Sequence, residues 1–162
     1  MPTDCPTMVL AECFLIYLRN EDSENILRWI NDFFGQAPYL SLCNYEMIEP
    51  FDSFGKTMIT NLQDRGCDLL GIEGCPTLQS QIDRIQACWI GKELKVECEP
   101  MTTIYSKKLD ATERSRIERL EIFDEFEEWN LIQAHYCIVV ATIGGGEGGW
   151  PTWSSLEWLQ NK

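Results

Sequence analysis

The stretch TMVLAECFLIYL, Thr7 to Leu18, limits most tightly what this chain can become. Ten of its twelve residues are apolar, counting Cys and Tyr, and the polar RNEDS ends it. A continuous apolar run of this kind reads as a strand buried on both faces, as in a parallel sheet. The segment that follows, NEDSENILRWINDFFG, predicts a helix. Asn20 can cap it, acidic residues fill its first turn and Gly35 can close it. Its apolar face is Ile26, Leu27, Ile30, Phe33 and Phe34. YLSLCNYEMI, Tyr39 to Ile48, then predicts a second apolar strand. Strand, helix and strand with short connections make a right-handed βαβ unit, so the fold class is α/β.

Glu12 interrupts the first apolar run. A buried carboxylate without a partner costs several kcal/mol. Glu12 is therefore poorly buried, paired, or held for a ligand. It falls in or just past the carboxyl end of the first strand, where open α/β sheets place their ligands. Tyr17 follows at the start of the next helix. The residues alone leave a capping or core-paired Glu as the more ordinary account.

Further along, SFGKTMITNLQDRG and TLQSQIDRIQACW read as helices separated by the turn-rich GIEGCPT. Lys92 to Pro100 predicts a third strand, in which Leu94, Val96 and Cys98 alternate with charges as on an edge. MTTIYSKK suggests a helical turn. Asp110 with Glu113 resembles a capping box opening ATERSRIERLE. The acidic DEFEEWNLIQA is expected to be a helix with Phe126, Trp129 and Ile132 opposite its solvated acidic face. It leads into HYCIVVATIG, a last buried strand. Residues 144–162 form a Gly- and Trp-rich tail without periodicity.

The chain has 162 residues, the size of one domain. Hydrophobic residues make up 44% of it, too many for a disordered chain. Acidic residues outnumber basic ones 26 to 13, a net charge of −13 that repels nucleic acid and anionic membrane at long range and suits a basic protein partner. The eight cysteines include no CxxC and have no neighbouring histidine, so a zinc site is not expected. Several lie in apolar runs, where free Cys acts as a small hydrophobe. Reduced thiols imply a cytoplasmic or nuclear protein. The N-terminus has no Lys or Arg before residue 19, unlike a signal peptide, and the first apolar run is too short to span a bilayer.

GGGEGG, Gly144 to Gly149, follows a strand as a phosphate-binding loop would. Trp150-Pro151 stands where such a loop needs Lys-Ser/Thr, so a flexible connector is the better reading. His135 is the single histidine and lacks a Ser or Cys partner at motif spacing. It is expected to be structural, at the start of a strand.

Three long stretches, LAECFLIYL, LCNYEMIEPFDSFGKTMITNLQDRGCDLLGIEGCPTLQSQIDRI and RSRIERLEIFDEFEEWNLIQAHYCIVVAT, together resemble the C-terminal half of the leucine carboxyl methyltransferase family. The resemblance runs collinearly from about Pro6 to Thr142. It implies that residues 1–143 are the C-terminal part of that domain. The family's fold is a class I, Rossmann-like methyltransferase, and the resemblance makes the strands here its fourth to seventh, the last antiparallel. The implied activity is methyl esterification, dependent on S-adenosyl-L-methionine, of the C-terminal leucine of the protein phosphatase 2A catalytic subunit. The implied cofactor-binding residue is Glu12, accepting hydrogen bonds from the cofactor's ammonium group. Tyr17 is the implied substrate-side residue, and Phe51 to Trp89 matches a region that covers the site and engages the phosphatase.

No catalytic residue or metal is implied. A C-terminal carboxylate, with a pKa of about 3.5, is already a nucleophile at neutral pH and needs no general base. The family's glycine-rich loop, ribose-binding acid and upstream arginine fall outside these residues. The expectation is a truncated, cytoplasmic, monomeric form with an exposed apolar edge strand, binding cofactor weakly or not at all on its own. Two alternatives stand beside it. One is a non-catalytic phosphatase-binding fragment. The other is a relative that methylates a different carboxyl group, such as the tRNA wybutosine-modifying member, whose C-terminal propeller is absent from this sequence.

Overall fold

A computed structural model describes residues 4–90 and 93–144. Strand β1 (Thr7–Glu12) is followed by a 3-10 turn (Leu15–Tyr17), helix α1 (Asn20–Phe34) and strand β2 (Tyr39–Met47). Helices α2 (Ser53–Gln63) and α3 (Leu78–Cys88) precede strand β3 (Lys95–Pro100). A short helix α4 (Met101–Thr103) runs into a π-helical turn (Ile104–Lys108), then α5 (Ala111–Ile117), α6 (Phe126–Ala134) and strand β4 (Tyr136–Gly144).

The four strands form one mixed sheet in the order β1-β2-β4-β3. The βαβ unit is present, with β1 parallel to β2 and Glu12 opposite Tyr45. The last strand inserts between β2 and β3, antiparallel to both. Together the sheet and helices form an α/β arrangement compatible with a Rossmann-like methyltransferase fold.

The main core lies on one side of the sheet. Leu27, Ile30 and Phe34 of α1 and Ile85 and Cys88 of α3 pack with Leu40 and Leu42 of β2 and Val139 and Ala141 of β4. Trp89, just past α3, is buried there, and its indole N–H donates to the Leu27 carbonyl at 3.1 Å. On the expected α1 face Leu27, Ile30 and Phe34 are buried, while Phe33 is exposed.

The first apolar run is not one strand buried on both faces. It breaks after Glu12, where Cys13 takes a left-handed φ of 44°, and resumes as the 3-10 turn. Within β1, Thr7, Val9 and Ala11 are half-buried, whereas Met8, Leu10 and Glu12 are exposed. Two features explain this: β1 is at the sheet edge, as the resemblance implied, and the helices of the main core cover only the face that carries Val9. Leu10 is consequently 70% exposed.

Smaller differences have local causes. Arg19, rather than Asn20, occupies the cap position of α1, without a side-chain cap. Asp110 does cap α5, accepting from Thr112 N at 2.9 Å and Glu113 N at 3.1 Å. The reciprocal half of a capping box is not made; Glu113 pairs with Arg116 instead. Helix α6 buries no residue: Phe126 and Ile132, expected to pack inward, are exposed. Gly144 ends β4 with φ 76°, a Cβ there lying 2.6 Å from the Pro38 carbonyl oxygen. The remainder of the Gly/Trp-rich tail lies outside the described residues.

All eight cysteines are free. Among the described residues no helix is long and apolar enough to cross a membrane.

Candidate functional site at the carboxyl ends of β1 and β2

Parallel strands β1 and β2 end side by side, and the chain leaves β1 in a way that fixes what stands there. The Cys13 N–H donates to the Tyr45 carbonyl at 2.8 Å, extending the ladder by one bond while the left-handed turn redirects the chain. The 3-10 turn closes with Tyr17 N donating to Phe14 O at 3.3 Å and Leu18 N to Leu15 O at 3.2 Å. Leu15 and Ile16 anchor it by burial, leaving Phe14 and Tyr17 exposed. The Gly71 N–H holds the turn from above by donating to Ile16 O at 2.9 Å. Gly71 must be glycine: a Cβ would sit 2.8 Å from Leu18 O.

Glu12 is exposed, the first of the three possibilities open to it. Among the described residues no hydrogen bond or ion pair is recorded for its carboxylate, which leaves it available to solvent or a ligand. By strand alternation its face also carries Tyr45, and beyond it Tyr45 stacks on Tyr136, ring centroids 5.0 Å apart and planes 10° from parallel. Burial, with the Tyr136, Cys13 and Glu12 groups beside it, pushes the Tyr45 phenol up to about 12. Burial, together with Cys13, Tyr17 and Glu46, also raises that of Tyr136. Cys13 is held up at about 11 by burial and by Glu46 and Glu12. Glu12 and Tyr17 thus act on the same tyrosine pair, one from each side. The pair was not among the expected site residues. Its only trace in the sequence is a Tyr near the end of one strand and another at the start of the last.

The buried carboxylate belongs to Glu46, on the opposite, helix-covered face of β2. Glu46 is 1% exposed, beside the fully buried Asn44. Desolvation raises its pKa to about 7, against the opposing pull of Arg84 and the nearby Met47 and Ile16 amides. Neither carboxylate oxygen makes a well-formed hydrogen bond, and both polar atoms of the Asn44 amide and the Arg84 Nε lack one too. Arg84 is held elsewhere, donating to Gln81 Oε1 at 2.7 Å while Gln81 donates to Cys75 O at 3.0 Å.

His135 is structural. Its Nδ1 lies 2.7 Å from Leu131 O and its Nε2 3.0 Å from Asp52 Oδ2. Asp52 in turn caps α2 by accepting from Gly55 N at 2.7 Å, and the Gly55 amide and His135 hold its pKa below the usual carboxylate range. The ring therefore ties the start of α2 to the start of β4. A cavity of about 230 Å³ opens between the π-helical turn and helices α5 and α6, lined by Tyr105, Phe123, Phe126 and Trp129 among others. Neither Glu12 nor Tyr17 lines it.

No protein-family model matches the chain. It is 41% identical over 145 residues to the Leucine carboxyl methyltransferase 1 homolog of Arabidopsis thaliana, a match covering 87% of this chain and 41% of that protein. It is 40% identical over 149 residues to Leucine carboxyl methyltransferase 1 of Bos taurus, covering 92% of this chain and 43% of that protein. It is also 36% identical over 140 residues to the tRNA wybutosine-synthesizing protein 4 of Homo sapiens, covering 86% of this chain and 19% of that protein. The chain thus spans less than half the length of these relatives. Over the matched residues, it belongs to the leucine carboxyl methyltransferase family.

Proposed function

We propose that this chain carries the C-terminal half of a class I methyltransferase that uses S-adenosyl-L-methionine to methylate the C-terminal leucine carboxylate of the protein phosphatase 2A catalytic subunit. The observation that carries this is the family match, 41% identity along 87% of the chain. The residues at the strand ends fit a cationic ligand: Glu12 offers an exposed carboxylate, and the stacked Tyr45–Tyr136 pair offers π faces that attract positive charge.

When bound, the cofactor supplies a methyl group on a positively charged sulfur. Glu12 accepts hydrogen bonds from the cofactor's amino end, a charge-assisted contact. Tyr17 faces the substrate side and orients the incoming carboxylate. That carboxylate, with a pKa of about 3.5, is ionised at neutral pH, so orientation and exclusion of water matter more than proton transfer. His135 is committed to Asp52 and Leu131 O, away from the strand ends, and takes no part in the transfer. The chain is read as cytoplasmic and monomeric.

The relative named for wybutosine synthesis supports a second reading, in which the carboxyl group is on tRNA. The net charge of −13 argues against it by repelling tRNA phosphates. A methyl-transfer assay with labelled cofactor decides between them. With the chain supplemented by the N-terminal half of a curated relative, a peptide ending in the phosphatase's C-terminal leucine should accept label, and its C-terminal amide should not. Label on tRNA would favour the second reading. Label on neither, with retained phosphatase binding, would leave a non-catalytic binding module.

A further inference from the structure

Glu46 and its neighbours are used by neither the proposed chemistry nor the apolar core. The carboxyl group is buried at the end of β2, under the 3-10 turn that carries Tyr17. Its two oxygens and both polar atoms of the Asn44 amide have no well-formed partner. The Ile16 N–H lies close enough to act on the carboxyl group, and within the turn no backbone acceptor is recorded for it. A protonated carboxyl group can satisfy all of this set but the Asn44 Nδ2. Its O–H donates to Asn44 Oδ1, and its other oxygen accepts the Ile16 amide. An ionised carboxylate can accept from the Asn44 amide and from the Met47 and Ile16 N–H groups, but at 1% exposure, with neither oxygen well bonded, its charge draws water into a dry site.

We propose that Glu46 is a positioning residue for the ligand-facing segment Cys13–Leu18, seating the turn when protonated and loosening it when ionised. What the turn serves rests on the proposed function; that the turn responds to Glu46 does not. Groups that feel the charge of this carboxyl come from the elements around it: Cys13 from the turn, Arg84 from α3, Cys75 from the loop before α3, Cys137 from β4 and, from the other face of β4, Tyr136. The four others are ordinarily neutral across the range that matters, so Arg84 is the one fixed charge among them. Its fork is already turned to Gln81. With the carboxyl titrating at about 7, the response falls in the neutral range.

The test is hydrogen–deuterium exchange of the whole chain between pH 5 and 8.5, corrected for intrinsic exchange. Amides of Leu15–Leu18 should lose protection by up to about tenfold per pH unit as pH rises toward 7, then level off. Leu27 in α1 and Val139 in β4 report global unfolding, and the turn should open below that level, with lower protection than both and a slope of its own. Glu46→Gln should abolish it. A flat wild-type profile, turn amides as well protected as Leu27 and Val139 across the range, or a slope surviving in Glu46→Gln would overturn the proposal. Should Glu46→Gln fail to fold, the wild-type comparison of the turn with Leu27 and Val139 still decides. Exchange needs no ligand, so absence of cofactor binding would count against the proposed function alone.

Discussion

Glu12 and Glu46 both stand near the ends of neighbouring parallel strands, and strand alternation sends them to opposite fates. Glu12 points to the uncovered side of β1 and stays in water. Glu46 points under α3 and is desolvated, with a pKa of about 7 against an ordinary 4.5. A group that binds its proton more tightly in the folded state stabilises the fold most at low pH. The stability that Glu46 contributes should therefore be fully present below about 4.5 and be lost as pH rises to about 7, levelling above. The full change is on the order of 3 kcal/mol by linkage. Urea unfolding at pH 5, 6, 7 and 8 should show that decline in the wild type and lose it in Glu46→Gln. Glu12 was noticeable in the sequence because it interrupts an almost wholly apolar run. Glu46 was not, because CNYEM already contains polar residues and nothing local says which alternate positions lie under a helix.

At the scale of elements, the helices and strands follow from periodicity and caps, whereas the contacts that seat the Tyr17 turn are long-range. Gly71 is remote in sequence from Leu18, yet its bare Cα is what lets the loop approach the turn. Gly71→Ala should push a methyl against Leu18 O, displace the turn and weaken any ligand held there. Its expected signature is lost exchange protection at Leu15–Leu18 with the α1 amides unchanged. Trp89 ties the end of α3 to α1 through its indole. Trp89→Phe removes the donor to Leu27 O and leaves a small void, and thermal or urea unfolding should report a loss of about 1–3 kcal/mol. Helix α6 shows where periodicity falls short. Its apolar stripe is legible in the sequence, but a stripe states what a helix can bury, and among the described residues only Trp129 is half-covered, by Tyr105, while Phe126 and Ile132 stay exposed.

Across the described residues, the order β1-β2-β4-β3 places the one parallel pair at an edge and brings its carboxyl ends together. The uncovered side of that edge exposes Met8 and Leu10 and presents Glu12 beside the tyrosine pair. The βαβ start was readable because parallel strands with a crossover helix have a distinct hydrophobic rhythm. The insertion of β4 between β2 and β3 was not readable from the rhythm, and the family resemblance implied only that the last strand is antiparallel. The stacked tyrosines were hidden for the same reason: their meeting depends on strand order.

The account centres on an anionic, aromatic strand-end site for a cationic cofactor. Titrating the isotope-labelled chain with S-adenosyl-L-methionine, followed by amide NMR, tests it most directly. Weak saturable shifts centred on Glu12, Cys13, Tyr45 and Tyr136 are expected, with affinity reduced at least about tenfold in Glu12→Ala. Shifts centred elsewhere, no shifts at all, or equal affinity in the variant would contradict it.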